Sequence, residues 1–400
     1  MKKKLLFVMP SLTSGGGEKS LTNLLLQIDY EVYEVDLLLF NKSGLFLNLI
    51  PKEVNIIEIP YDNKIFTRFI IKSIKQFLKE GKMLLVYSRL MFSLFNIISK
   101  TNKEQKTWRY VSNSFVQLKK EYDIAIGFLE KSPIYFIVDK VIAKKKIGWI
   151  HTNYGNSDMD YRFDASYFNK LDYLVTVSNE CAHSLMTTFP DLKDRIKIIE
   201  NIVSPQTVEE LSHKSGNDIS TQEKNYIKLI TVARLSYEKG IDLAINACKL
   251  LVNQGYQISW QIIGEGTERE NLEQLIKRNG LTNIFILLGT KANPYPYIKN
   301  ADIYVQPSRY EGKSIAIDEA KILHKPIVVT NYPTVKDQIS DKKNGLIVNQ
   351  DPNSICGGIA TLIHDKQLKC NIISNLSKEN LSTEKEIEKF YALIEDVSNA

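Results

Sequence analysis

The chain has 400 residues, 44% apolar and 24% charged. That is too long for one ordinary core and too apolar for a disordered chain, so two domains are expected. The net charge of +6 is uneven: residues 1–200 hold 29 Lys/Arg against 22 Asp/Glu (+7), and residues 201–400 hold 23 against 24 (−1). An anionic surface partner is expected on the N-terminal half, whereas a nucleic-acid-binding role is poorly supported because the positive charge and the aromatics form no recognisable binding module.

Met1–Lys4 leads into the apolar run Leu5–Met9, which Pro10 ends. The run is too short for a secretory leader and reads as a first strand. Further strands are expected at Val35–Phe40, Asn55–Ile59, Ile124–Phe128, Ile147–Ile150 and Tyr173–Val177. In the second half they are expected at Lys228–Val232, Ser259–Ile263, Ile284–Leu288, Ile303–Gln306 and Ile327–Val329. Helical periodicity fills gaps between them, as at Leu21–Ile28, Leu243–Val252 and Leu272–Arg278. Such alternation predicts an α/β protein with parallel sheets covered by helices on both faces.

The expected domains are 1–204, a polar linker at 205–225, then 226–382, and a terminal helix within 383–400 that packs back across the junction. Residues 64–103 stand apart. Phe66, Phe69, Ile70, Ile74, Phe77 and Leu78 share one helical face, with Lys64, Arg68, Lys72, Lys75 and Lys79 largely off it; the apolar stretch Leu84–Ile98 follows, broken by Arg89. This is the pattern of a helix lying on an anionic membrane surface, and equally of a core-facing helix with snorkelling lysines. No apolar run is long enough to span a membrane. Cys181, Cys248, Cys356 and Cys370 are scattered, as for buried thiols of a reducing compartment. The expected location is the cytoplasm, with the inner face of the cell membrane as a peripheral site.

Ligands of doubly wound sheets bind beyond the C-terminal ends of strands, and the candidate residues fall there. Ser14-Gly15-Gly16-Gly17 follows the first strand. It lacks a dinucleotide fingerprint, but its glycines permit close backbone approach to a ligand. His151 closes a strand and faces a cleft, where it can meet a sugar hydroxyl. Asp158-Met159-Asp160 could hold a metal but has no second ligand cluster nearby. Arg234 and Lys239, five residues apart across a tight turn, can clamp a diphosphate and take the place of a metal there. Gly264-Glu265-Gly266 lacks the third fingerprint glycine. Glu311 and Glu319 flank small residues at a strand-to-helix turn, a setting for a ligand that is part phosphate and part sugar.

Taken in order, Gly15–Lys19, Arg234…Lys239-Gly240, Ile262–Arg269, Ala301-Asp302…Pro307-Ser308…Glu311-Gly312 and Glu319-Ala320 resemble the family 4 retaining glycosyltransferases, most specifically between Lys228 and Val348. The version with Thr330-Asn331-Tyr332-Pro333-Thr334 is similar to members from bacterial capsule, cell-wall or exopolysaccharide assembly. The resemblance implies the GT-B fold, two Rossmann-like domains facing across a cleft, with a nucleotide sugar (UDP favoured over GDP) on the C-terminal one. It implies that Arg234 and Lys239 bind the diphosphate, Glu311 the donor sugar and Glu319 the ribose. Thr290 would lie by the base, the amides of Ser314 and Ile315 by the phosphate and sugar, Gly16 and Gly17 by the diphosphate, and His151 by the donor sugar and acceptor. Lys313-Ser314 departs from the common Phe-Gly, leaving Lys313 as a further phosphate or acceptor contact or a solvent-facing residue.

The implied reaction is metal-independent sugar transfer, with retention, to a glycan, a lipid-linked glycan or a protein-linked acceptor; no cofactor beyond the nucleotide sugar is expected. A sugar-nucleotide epimerase of similar fold and a non-catalytic partner subunit of a glycosyltransferase are the alternatives.

Overall fold

A computed structural model describes residues 2–13, 15–57, 61–157, 159–214 and 226–399. The chain divides into two compact units, the first taking in nearly everything up to Glu200 together with Glu386–Asn399, the second running from Asn201 to Lys385.

In the first unit, β1 (Lys3–Met9), β2 (Tyr33–Leu39), β3 (Asn55–Ile57), β4 (Glu121–Gly127), β5 (Ile142–Ile150), β6 (Tyr173–Thr176) and β7 (Ile196–Ile198) form one parallel sheet in the order β3-β2-β1-β4-β5-β6-β7. Its helices are α1 (Gly16–Leu25), α2 (Tyr61–Phe66), α3 (Ile70–Lys79), α4 (Met83–Ile98), α5 (Lys103–Val111), α6 (Ser132–Lys140), α7 (Tyr161–Phe168) and α8 (Asn179–Thr188). Strand side chains such as Leu6, Val8, Leu38 and Ala125 are buried under aromatic residues including Trp108, Tyr135 and Phe136. Continuous apolar runs form these strands because both faces of a parallel sheet are covered.

The second unit begins with α9 (Pro205–Ser212), followed by β8 (Ile227–Val232), α10 (Ile241–Asn253), β9 (Ile258–Ile263), α11 (Arg269–Arg278), β10 (Phe285–Leu287), α12 (Tyr295–Asn300) and β11 (Ile303–Gln306). It ends with α13 (Ile315–Ile322), β12 (Ile327–Thr330), β13 (Leu346–Val348), α14 (Pro352–His364) and α15 (Lys366–Leu376). Its parallel sheet has the order β10-β9-β8-β11-β12-β13. The strand order reverses between β1 and β4 in one unit and between β8 and β11 in the other. Each reversal opens a crevice at the strands' C-terminal ends.

α16 (Glu386–Asn399) belongs to the first unit. Fully buried Phe390 packs against Phe7 and Trp149 at 6.2 and 6.3 Å, and Tyr391 stacks on Tyr33 at 5.5 Å.

The structure corrects the sequence reading in places. β7 and β13, three residues each, were not expected. Residues 205–212 of the expected linker are helical: the Ser204 hydroxyl accepts from the Thr207 amide, Pro205 opens the helix, and Val208 is buried beside Tyr295 and Ile298. The rest of that linker, 215–225, lies outside the described residues, as do residues 58 and 59 of the third expected strand. The apolar face across 66–78 is not one face, because the helix breaks between α2 and α3. Phe66 and Phe77 pack inward with Ile65, Leu85 and Val86, while Phe69, Ile71 and Leu78 are exposed.

Candidate functional site

In the second unit, the loop after β8 carries Arg234 and ends in a single 3-10 turn, Tyr237–Lys239, closed by Gly240 at φ +63°. A β-carbon on Gly240 would lie 2.0 Å from the Pro307 carbonyl oxygen, so the turn can abut the chain leaving β11 only as glycine. Arg309 locks the two loops together. Its amide donates to the Glu238 carbonyl at 2.8 Å, and its guanidinium grips both Asp242 oxygens at 2.8 and 2.7 Å while lying 4.0 Å over the Tyr237 ring.

On the other side, Gly264 sits at φ +152°, where a β-carbon would come within 1.9 Å of the Ala233 carbonyl oxygen; one on Gly266 would come within 2.2 Å of that of Leu235. The Gly264-Glu265-Gly266 segment therefore packs under the Arg234 loop. Arg234 is left more than half exposed, its Nη2 4.0 Å from Glu238, whereas the Lys239 side chain folds inward.

Lys239 Nζ meets Glu311 Oε2 at 2.5 Å. The other Glu311 oxygen accepts from Gln306 Nε2 at 2.9 Å and the Ser308 hydroxyl at 2.7 Å, and the Thr334 hydroxyl donates to the Glu311 carbonyl at 3.0 Å. A carboxylate only 8% exposed is thus fixed at the mouth of the β8–β11 reversal. Ser314 precedes α13, but its amide donates to Gln338 Oε1 at 2.8 Å; Gln338 Nε2 in turn donates to the Ser314 carbonyl and to Asp318 Oδ1, each at 2.8 Å. The expectation of an open Ser314 amide is corrected accordingly. The Ile317 amide donates to the Ser314 carbonyl at 3.2 Å, so Ile315 and Ala316 carry the first-turn amides that a helix leaves without intrahelical acceptors.

Lys313 is half-buried, its carbonyl accepting from Asn201 Nδ2 at 3.5 Å. Glu319 is buried and accepts from the Tyr295 hydroxyl at 3.0 Å. Thr290 is exposed after Gly289, whose carbonyl accepts from the Gly264 amide at 3.0 Å. The structure therefore joins Lys239 and Glu311 directly and places Arg234, Lys313 and Ser314 on the same two loops, while Glu319 is engaged by Tyr295 and Thr290 stands exposed after β10. Two cations beside a helix N-terminus suit an anion, and the held carboxylate can accept hydrogen bonds from hydroxyls.

Gly16 and Gly17 open α1. A β-carbon on Gly17 would stand 2.9 Å from Leu129 Cδ1 and 3.8 Å from His151 Cδ2, whereas one on Gly16 would meet nothing within 4 Å. His151 follows β5, its ring against Phe128 and Trp149. The ring hydrogen-bonds to the Phe128 backbone, and burial pulls its pKa down to about 3 despite that bond. Phe128 has already spent its amide on the Val8 carbonyl, so the bond uses the Phe128 carbonyl and the His151 nitrogen in it carries hydrogen. The other nitrogen, Nε2, is buried without a partner.

Asp158 lies outside the described residues, while Asp160 caps α7, accepting from the Arg162 and Phe163 amides. Among the described residues, no group of three His, Cys, Asp or Glu side chains is placed to hold a metal. Sequence reasoning missed Gln338 and Glu130. Gln338 contacts Ser314 across 24 positions, and Glu130, whose Oε2 accepts from the His151 amide at 3.1 Å, does so across 21.

Residues 216–379 match the profile described as "Glycosyl transferases group 1". The chain is 26% identical over 259 residues to the poly(ribitol-phosphate) alpha-N-acetylglucosaminyltransferase of Staphylococcus aureus, covering 62% of this chain and 50% of that one. It is also 26% identical over 216 residues to the Staphylococcus aureus capsular polysaccharide biosynthesis glycosyltransferase CapM, covering 49% and 56%. The chain spans about half the length of the curated relatives it matches, from 42% to 60% of the first three. The crystal structure of Anabaena HepE in complex with UDP and glucose superimposes with a TM-score of 0.70 at 16% identity, covering 98% of this chain and 100% of that one. The shared fold is GT-B.

Proposed function

We propose that this chain, whose second unit carries a glycosyl transferases group 1 domain, moves a sugar from a nucleotide diphosphate sugar to a glycan, lipid-linked glycan or protein-linked acceptor in bacterial surface polysaccharide or glycoconjugate assembly. The observation that carries the reading is the Lys239–Glu311 pair at the strand-order reversal, with Arg234 exposed beside it. A cation for the diphosphate and a fixed carboxylate for sugar hydroxyls stand on adjoining loops. UDP is the favoured nucleotide, in keeping with the UDP and glucose bound by the structurally similar HepE.

The reading extends to family 4 membership and to retention of anomeric configuration without a metal. The acceptor oxygen bonds to the anomeric carbon on the face from which the phosphate oxygen departs. The acceptor's proton passes to that departing oxygen, and Arg234 and Lys239 stabilise the charge on the diphosphate. The test is hydrolysis and transfer with a panel of nucleotide sugars. Arg234→Ala, at an exposed position, should leave the fold intact and lower turnover by roughly 10²–10³-fold. Near-normal turnover in the folded variant rejects the assignment, and loss of activity in EDTA restored by magnesium rejects metal independence.

The lipid-linked reading draws on a surface of the first unit. Leu84, Tyr87, Leu90, Leu94 and Ile97 recur at helical spacing on α4 and are exposed, Leu84 by 63% and Ile97 by 82%. Lys72, Lys75 and Lys79 on α3 are exposed as well. No helix among the described residues is long and apolar enough to cross a membrane. An apolar helix face with neighbouring lysines is instead the pattern of peripheral docking on an anionic bilayer. Flotation with vesicles containing anionic lipid at low salt tests this, and no co-flotation removes it.

A further inference from the structure

We propose that Arg309 is a positioning residue for sugar transfer: with Asp242 it forms a strut that sets the Arg234–Lys239 loop against Glu311, and it does not itself touch the diphosphate; this deepens the glycosyl-transfer reading and rests on it. Its place in the chain suggests the opposite. A cation two residues before Glu311, just past β11, stands where a phosphate ligand is expected.

The bonds of Arg309 decide between the two roles. Nη1 donates to the Tyr237 carbonyl at 2.6 Å and to Asp242 Oδ1 at 2.8 Å, and Nη2 donates to Asp242 Oδ2 at 2.7 Å. Three of the guanidinium's five N–H groups are thereby engaged. One face of the group lies 4.0 Å over the Tyr237 ring, and only 17% of the side chain is exposed. The backbone is tied as well. The Arg309 amide donates to the Glu238 carbonyl at 2.8 Å, and its carbonyl accepts from Gln350 Nε2 at 2.8 Å. Gln350 Nε2 also donates to the Asn331 carbonyl at 3.1 Å. The loops after β8, β11, β12 and β13 therefore meet at this one residue.

The place of the pair gives the strut its effect. Asp242 lies in the first turn of α10, where the helix dipole favours a carboxylate, and it is three residues past Lys239. Arg309 thus joins the loop of Lys239 to the loop of Glu311 by bonds separate from the Lys239–Glu311 contact. A diphosphate that draws Lys239 away from Glu311 breaks that contact and leaves the strut in place. A two-pronged guanidinium–carboxylate pair fixes direction as well as distance, which is what holding two loops in register requires.

Asp242→Asn separates a strut from a phosphate ligand, because the two roles predict opposite signs. The substitution frees Arg309 and makes the site more positive by one charge. A direct ligand would then hold UDP more tightly. A loosened strut lets Arg234 and Lys239 shift, and a misplacement on the order of 1 Å costs about 100-fold in rate. In the full chain, Asp242→Asn and Arg309→Met should each lower kcat with the donor that the panel identifies by about 10- to 100-fold. Weakening one charge-assisted hydrogen bond to the diphosphate corresponds to about a 10-fold rise in the Kd for UDP. The Kd for uridine, which has no phosphate, should stay at the wild-type value, and its binding shows that the variants are folded. Arg309→Lys keeps the cation but cannot span Tyr237 and both Asp242 oxygens, so it should recover only part of the loss; it replaces Arg309→Met if that variant binds no uridine. Tighter UDP binding in Asp242→Asn overturns the proposal. So do an unchanged kcat and UDP Kd in the folded variants, and a loss of uridine affinity equal to that of UDP. Failure of the wild type to bind UDP and to turn over any nucleotide sugar overturns the glycosyl-transfer reading itself.

Discussion

The Lys239–Glu311 pair makes a quantitative claim that a double-mutant cycle can check. Removing one partner from a fully buried ion pair costs about 3–5 kcal/mol. Here the lysine side chain is 17% exposed, and Glu311 keeps its hydrogen bonds from Gln306 and Ser308. The expected loss for Lys239→Met is accordingly smaller, about 2–3 kcal/mol. Glu311→Gln should cost a similar amount, since the new amide turns a donor toward the ammonium. In the double variant that conflict disappears, and the coupling between the two sites should be about 1.5–3 kcal/mol. Urea unfolding followed by fluorine NMR of 5-fluorotryptophan reads the second unit separately, because Trp260 lies there while Trp108 and Trp149 lie in the first. Saturating UDP should shrink the coupling, because the diphosphate competes with Glu311 for the lysine. A coupling below about 0.5 kcal/mol without UDP would refute the pair as a real bond in solution.

Two further outcomes follow from the first unit. His151, with its folded-state pKa lowered to about 3 against 6.5 in the unfolded chain, stays neutral where the unfolded chain takes up a proton. Stability should fall as pH drops from about 6.5 toward 3, by up to about 1.4 kcal/mol per pH unit. The pKa of Glu130, raised by burial, acts in the opposite sense, so acid unfolding of wild type is to be compared with His151→Gln, which should show a shallower loss; equal slopes reject the reasoning. Lys131 is held at φ +70° and ψ −124°, a conformation suited to glycine. Lys131→Gly should relieve about 1–3 kcal/mol of strain at a cost of about 0.5–1 kcal/mol in chain entropy, giving a net stabilisation of about 0.5–2 kcal/mol and a higher Tm. A lower Tm would show that the backbone there is not strained.

What could be read from the sequence follows from how local each signal is. Most strands announce themselves as unbroken apolar runs, since both faces of a parallel sheet are covered. β7 and β13 escaped because three residues make no pattern. α9 was taken for linker because its composition is polar, and only Val208 and Ser212 of its eight residues are buried. At the site, Arg234, Lys239 and Glu311 were legible from their placement just after strands. The Gln338 clamp on Ser314 and the Glu130 contact with His151 were not, because nothing in the local sequence of either partner points to the other. The face read across 66–78 failed for a related reason: periodicity was counted through a break in the helix.

The C-terminal helix gives the molecule an unusual order of assembly. Phe390 completes the core around Phe7, a residue made 383 positions earlier (390 − 7), and Tyr391 takes the Asp29 amide's hydrogen bond at 2.8 Å. The first unit therefore cannot close its core until Glu386–Asn399 has been made, whereas the second unit needs nothing beyond Lys385. Such long-range closure is slow. During synthesis the early sheet waits with its Phe7 and Trp149 face uncovered by Phe390, and apolar surface exposed in that way is prone to aggregate.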